Sequence, residues 1–141
     1  MVLDIPAQFM AVPYDGEKYP GVGAIGDLCG GANCQLFAYA VLAHFGRDVP
    51  PLRSSQLWED TAHTRRVTTL EPLDLLLFGM TADPYGAHVG VYLGEGTVLH
   101  LPKRIGVPAI WTLDDFAAAP GYTCFIGAKR VNPPFTANAN W

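Results

Sequence analysis

Residues 33–46 have the sequence NCQLFAYAVLAHFG, and no other part of the chain constrains the architecture as strongly. From Cys34 onward the stretch contains no helix breaker and is apolar on almost every side, which predicts a central, buried helix. Asn33 is a good N-cap, Gly46 is a good residue to end the helix, and His44 lies in the last turn, where the dipole favours a cation. Cys34 is therefore predicted to begin this helix.

Short apolar runs separated by turn residues replace the helical pattern from Val67 onward. The runs at 88–93 and 97–101 flank Gly94-Glu95-Gly96, which is a strong hairpin signal. A helix followed by an antiparallel meander indicates an α+β fold. The other predicted elements are strands at 74–79, 107–111 and 122–131, a short helix capped by Ser54 or Ser55 that runs to about Ala62, and a short helix around 113–118.

The length of 141 residues favours one compact domain spanning residues 1–141. Residues 1–30 are rich in proline and glycine and lack a sustained period, so we expect an irregular N-terminal arm with at most one short helical turn. Residues 132–141 contain two adjacent prolines and predict a loose C-terminal tail.

Composition and charge exclude several classes of function. The formal net charge of −4 removes the attraction that nucleic acid or an anionic membrane would require, so neither is predicted as a partner. No apolar run approaches the ~20 residues of a membrane span. The N-terminus lacks a basic start followed by an apolar run, so no signal peptide is expected.

The chain has three cysteines, Cys29, Cys34 and Cys124. An odd number leaves at least one unpaired, which argues against a disulfide framework, and their spacing does not match a zinc site. No metal or cofactor is therefore predicted. Cys124 lies in a strand-like run, where a buried, inert thiol is expected.

Cys34 and two histidines far along the chain form a candidate catalytic group. Unpaired N–H groups and the dipole at a helix start should lower the pKa of the thiol and could bind an oxyanion. The odd-length loop of the hairpin pairs residue 93 with 97, which puts His88 and His100 on one face of the sheet. One imidazole could then accept the thiol proton while the other orients it. Two structural histidines and a structural cysteine are the alternative.

Four motifs, in this order, resemble those of the NlpC/P60 family of papain-like cysteine peptidases. The first, NCQLF at 33–37, resembles Asp-Cys-Ser-Gly-Phe. The second, VPPLRSSQ at 49–56, resembles Leu-Pro-Arg-x-Ser-x-x-Gln, and PLDLLLF at 72–78 resembles Pro-Gly-Asp-Leu-x-x-Phe. The last, HVGVYLG at 88–94, is nearly identical to His-Val-Gly-Ile-Tyr-Leu-Gly, and the family's third residue falls on His100.

The resemblance implies a central N-terminal helix packed on a five- to six-stranded antiparallel β-sheet, with the active-site groove between them. It also implies cleavage of an amide bond in a peptide or peptidoglycan fragment, commonly a D-γ-glutamyl bond, through a thioester acyl-enzyme. Cys34 would be the nucleophile, His88 the base and His100 the orienting residue.

The sequence also departs from the family pattern. Asn33 and Gln35 replace the usual Asp and Ser beside the nucleophile, and Leu73 replaces a turn glycine. Tyr19 is the approximate counterpart of the family's upstream tyrosine, so Tyr19 and Gln35 are the candidate oxyanion or substrate-binding residues.

Two other functions fit the same residues. One is acyl transfer by the same triad, with an amine replacing water, and the other is an inactive papain-like module that only binds a peptide. For location, the sequence suggests a cytoplasmic amidase, a phage-tail-associated hydrolase or an effector exported by a dedicated secretion system. It makes no prediction of oligomeric state.

Overall fold

The computed structural model describes residues 1–26 and 28–135. A short 3-10 helix at Ala7–Ala11 is the helical turn expected in the N-terminal arm. The α-helices are α1 (Cys34–His44), α2 (Ser54–Glu59) and α3 (Leu113–Ala118). The strands are β1 (Thr64–Val67), β2 (Leu75–Gly79), β3 (His88–Gly94), β4 (Thr97–His100), β5 (Ala109–Thr112) and β6 (Cys124–Val131).

All six strands form one antiparallel sheet in the order β1-β6-β2-β3-β4-β5. The last strand in the chain, β6, lies between β1 and β2. Strand β1 is therefore connected to the rest of the sheet only through β6. This α+β architecture confirms the predicted fold class.

Helix α1 packs against one face of the sheet and is buried on almost every side. Alternate strand residues point toward it, among them Leu75, Leu77, Val89 and Val91. A smaller apolar cluster covers the opposite face, where α3 contributes Phe116. His88 and His100 are in register with the strand residues on this second face, such as Tyr92 and Val98, and His88 is the first residue of β3.

The structure corrects several predicted boundaries. A strand, β1, already begins at Thr64, because it pairs with β6 and does not need an apolar pattern of its own. Helix α2 ends at Glu59 rather than near Ala62, since the Asp60 side chain accepts hydrogen bonds from the next turn.

Further corrections concern the cap of α2 and the last strands. Arg53, not a serine, is the N-cap of α2; the hydroxyl of Ser54 instead accepts a hydrogen bond from the backbone N–H of Ala87, 3.2 Å away. The strand predicted at 107–111 is observed at Ala109–Thr112, and the one predicted from residue 122 begins at Cys124, which is partly buried. Most of the predicted tail, residues 136–141, lies outside the described residues.

Leu73 precedes β2 and stands where the motif Pro-Gly-Asp-Leu-x-x-Phe has a glycine, and its backbone conformation gives the reason for that glycine. Its φ is 77°, in the left-handed region that favours glycine, and its side chain is buried. The following residue, Asp74, is fully buried and forms a two-pronged ion pair with Arg130 of β6. This pair fixes the start of β2 next to β6.

No helix among the described residues is long and apolar enough to cross a membrane.

Candidate active site

Cys34 is the first residue of α1, as predicted. The carbonyl oxygen of the Asn33 side chain accepts a hydrogen bond from the backbone N–H of Leu36, 2.8 Å away, and so caps the helix. The backbone N–H of Asn33 donates to the carbonyl of Lys18 and attaches the preceding loop. The thiol is therefore carried on a helix end that is fixed on both sides.

The pKa of the Cys34 thiol is raised, because its burial outweighs hydrogen bonds from the backbone of Val89, Gln35 and Cys34 itself and the charge of Arg53, which all lower it. The prediction of a lowered pKa is wrong in sign, although the helix-start N–H groups act in the predicted direction. The hydrogen bond from Val89 also places the start of β3, where His88 lies, at the sulfur.

His88 and His100 are in direct contact. Nε2 of His88 lies 2.8 Å from Nδ1 of His100, and both side chains are buried. The sheet register produces this contact: Val91 pairs with Leu99, so the two histidines occupy one face of the hairpin, as predicted. The pairing shifts by one residue next to the turn, where Gly94 rather than residue 93 lies opposite Thr97.

Only one proton can occupy the short contact between the two rings. If Nε2 of His88 carries it and donates to His100, Nδ1 of His88 is left as a proton acceptor and Nε2 of His100 carries the remaining proton. That Nε2 atom is buried and, among the described residues, has no hydrogen-bond partner. The His100 ring lies instead against Trp111 and Phe116, at centroid distances of 4.3 and 4.6 Å.

Aromatic packing keeps both imidazoles neutral. The ring of Tyr122 stacks on His88, with centroids 4.3 Å apart and planes inclined by 16°. Burial, together with the neighbouring His100, lowers the pKa of His88 to about 3, and burial lowers that of His100 to about 4. Both rings are therefore uncharged near neutral pH.

Tyr14 and Tyr122 were not found by sequence reasoning. Burial raises the pKa of each phenol, and the nearby Cys34 raises it further, which places both within electrostatic reach of the thiol. Tyr14 is brought there by a bridge between the N-terminal arm and Ala32, and Tyr122 by the turn between α3 and β6. Neither position carries a local sequence signal.

The two candidate oxyanion residues lie in different surroundings. The guanidinium of Arg53 lies 4.3 Å from the centroid of the Tyr19 ring. The charge of Arg53 also acts on the Cys34 thiol, so Tyr19 and Cys34 share Arg53 as a neighbour. Gln35 is buried, and its side-chain oxygen has no hydrogen-bond partner in the part of the chain that the structure describes. A role for either residue in binding an oxyanion stays a prediction.

Two cavities meet at Tyr122. One, of about 750 Å³, is lined by Lys103, Arg104 and Trp111 as well as Tyr122. The other, of about 310 Å³, is lined by His88 and by the loop that precedes it. A third cavity, of about 700 Å³, lies between the N-terminal arm and the middle and end of α1 and contains none of the candidate catalytic residues. Among the described residues, no group of three or more His, Cys, Asp or Glu side chains is placed to hold a metal ion.

Comparisons with known proteins agree with the motif order. The sequence profile of the NlpC/P60 family matches residues 16–113. An NlpC/P60 family protein from Bacillus cereus ATCC 10987 has a similar structure, with a TM-score of 0.58 and 23% identity; the alignment covers 85% of this chain but only 37% of that protein. The NlpC/p60 domain of the peptidoglycan hydrolase SagA gives a TM-score of 0.53 and 25% identity, over 79% of this chain and 86% of that domain. A comparison with curated proteins gives no match.

Proposed function

The chain belongs to the NlpC/P60 family, and from this membership we propose that it is a cysteine hydrolase that cleaves an amide bond in a peptide or peptidoglycan fragment. Cys34, His88 and His100 are the proposed triad. The observation that carries the proposal is the 2.8 Å contact between Nε2 of His88 and Nδ1 of His100. The residue after His88 in β3, Val89, donates a backbone hydrogen bond to the Cys34 sulfur. The solved domain of a peptidoglycan hydrolase with a similar fold supports this substrate class.

The proposed reaction begins from a neutral thiol and a neutral imidazole. Nδ1 of His88 accepts the thiol proton as the sulfur of Cys34 attacks the carbonyl carbon. Backbone N–H groups at the start of α1 stabilise the oxyanion. The amine leaves with the proton held by His88, and a thioester to Cys34 remains. Water, deprotonated by His88, then attacks the thioester and releases the acid and the free thiol.

The direct test is hydrolysis of a defined stem peptide. We expect the wild-type protein to cleave L-Ala-γ-D-Glu-L-Lys-D-Ala or a peptidoglycan digest, with products identified by mass spectrometry. We expect Cys34→Ala to abolish cleavage and the matched Cys124→Ala to retain it, because Cys124 lies at the start of β6, outside the candidate triad.

The thioester provides a second readout. A rapidly quenched reaction should contain protein with the acyl group attached to Cys34, and added amines should not replace water as the main acceptor. If the wild-type protein cleaves neither substrate, the proposal is wrong. If amine conjugates predominate, the enzyme is an acyltransferase.

A further inference from the structure

The direction of the hydrogen bond between His88 and His100 decides whether His88 can act as a base. Each ring is neutral and carries one proton, and Nε2 of His88 lies 2.8 Å from Nδ1 of His100. If the shared proton belongs to His88, its Nδ1 atom has a free lone pair, and His100 carries its own proton on Nε2. If the shared proton belongs to His100, Nδ1 of His88 is protonated and cannot accept the thiol proton.

The buried end of the histidine pair determines which arrangement is more stable. His88 is 7% exposed, whereas His100 is fully buried. In the first arrangement Nε2 of His100 is an N–H group, and in the second it is a bare nitrogen whose lone pair has lost its hydration. Because water does not reach this atom, its protein surroundings set the free-energy difference between the two arrangements.

Trp111 has the shortest centroid distance to the His100 ring among the aromatic rings that contact it. The centroids are 4.3 Å apart and the planes are inclined by 66°, so the edge of one ring meets the other. The sheet register produces this contact: His100 pairs with Ala109, and Trp111 is the diagonal neighbour two residues further along β5, on the same face. The small side chain opposite His100 leaves room for the indole ring.

The indole ring favours an N–H group over a bare nitrogen at Nε2 of His100. The face of an aromatic ring is negative, so it attracts an N–H group and repels a lone pair. The indole N–H does not stabilise the bare nitrogen, because Nε2 of His100 has no hydrogen-bond partner within the described part of the chain. Phe116 also contacts His100, but one face of its ring is already stacked on Phe78, with centroids 4.0 Å apart.

We infer that Trp111 is a positioning residue that keeps the proton of His100 on Nε2 and thereby leaves Nδ1 of His88 free to act as the base. It acts through both imidazoles in turn. With its proton on Nε2, His100 can only accept at Nδ1, and His88 then donates to it from Nε2. The inference rests on the proposed function, since the tautomer matters for the reaction only if His88 is the base.

Nitrogen NMR of the histidine side chains measures the tautomers directly. The wild-type protein, with isotope-labelled histidine, near neutral pH and without substrate, should show both His88 and His100 as the Nε2–H tautomer. His44→Gln and His63→Gln identify the signals of the other two histidines by their disappearance. A wild-type spectrum in which His100 carries its proton on Nδ1 would overturn the inference.

Substitutions of Trp111 test the cause of the preference. Trp111→Leu keeps an apolar side chain but removes the aromatic face, so the population of the Nδ1–H tautomer of His100 should rise about three- to tenfold. Trp111→Phe keeps an aromatic face and should stay close to wild type.

Ile110→Ala is the control variant, because Ile110 also lies on β5 but on the opposite face of the sheet, and half of its side chain is exposed. It should leave both tautomers unchanged. Unchanged tautomers in Trp111→Leu, or an equal change in Trp111→Phe or Ile110→Ala, would count against Trp111 and overturn the inference.

Spectrum and turnover also separate this inference from the proposed function. If the wild-type protein cleaves the stem peptide but His100 is the Nδ1–H tautomer, the inference is wrong and the hydrolase stands. If the tautomers depend on Trp111 as expected but the wild-type protein cleaves neither substrate, the hydrolase is wrong and the effect of Trp111 on the tautomer stands.

Discussion

Opposing physical effects act on the Cys34 thiol. Hydrogen bonds from backbone N–H groups and the charge of Arg53 favour the thiolate, whereas burial favours the neutral thiol and is the larger effect on its pKa. Burial likewise keeps His88 and His100 uncharged near neutral pH. The site therefore contains a neutral thiol and a neutral imidazole rather than an ion pair. In the proposed reaction, the thiol proton transfers to His88 only during attack.

At the residue scale, the role of His100 can be separated from its packing. His100→Phe keeps an aromatic ring between Trp111 and Phe116 but removes the acceptor for Nε2 of His88. We expect kcat/KM to fall by about 100-fold, because the base loses its fixed tautomer and orientation. The measurement is steady-state hydrolysis of the stem peptide as a function of pH.

His100→Asn is the conservative counterpart, since its side-chain oxygen can take the place of Nδ1. It should retain more activity than His100→Phe, and the exposed His63→Gln should retain all of it. Wild-type activity in His100→Phe would show that the contact between the histidines is not used.

At the element scale, the β3–β4 hairpin depends on a residue without a side chain. A Cβ atom on Gly90 would lie 2.6 Å from a methyl carbon of Val98 and 3.4 Å from Cβ of His100. The missing side chain therefore lets β4 approach β3 closely on the face that carries the two histidines. This steric requirement gives a physical reason for glycine in the motif HVGVYLG.

Gly90→Ala should destabilise the protein by about 1–3 kcal/mol, because β4 must move to admit the methyl group. It should also lower kcat/KM, since the movement displaces His100. Urea unfolding and steady-state kinetics measure the two effects. Gly26→Ala is the control, because its added methyl group would meet no atom of the described residues within 4 Å, its chain neighbours aside; equal stability of the two variants would contradict the steric argument.

At the scale of the whole molecule, burying two neutral histidines links stability to pH. In the unfolded chain a histidine takes up a proton below about pH 6.5, whereas His100 in the folded protein does so only below about 4. The unfolded state binds more protons between these values, so the free energy of unfolding falls as the pH is lowered. The contribution is fully present above about pH 6.5.

We expect the free energy of unfolding to decrease between pH 7.5 and 4.5, with His100 alone contributing roughly 3 kcal/mol over its full range. Urea unfolding at several pH values measures this dependence. His100→Phe should make it shallower, because the variant lacks the buried imidazole that resists protonation in the folded protein. The same pH dependence in wild type and His100→Phe would refute the linkage.

The sequence by itself determined the central helix, its cap, the α+β class and the common face of His88 and His100. These features follow from short-range rules: an apolar stretch without breakers, a capping side chain, and the two-residue repeat of a hairpin. The order of the four motifs was also sufficient to identify the family, which the match to residues 16–113 confirms.

Only the tertiary structure decided the remaining features. The insertion of β6 between β1 and β2, the stacking of Tyr122 on His88 and the approach of Tyr14 to Cys34 join residues far apart in the chain. The direction of the Cys34 pKa shift was also decided by the tertiary structure, because it depends on how deeply the thiol is buried. Local sequence patterns do not encode such contacts or burial; both arise when the chain packs into layers.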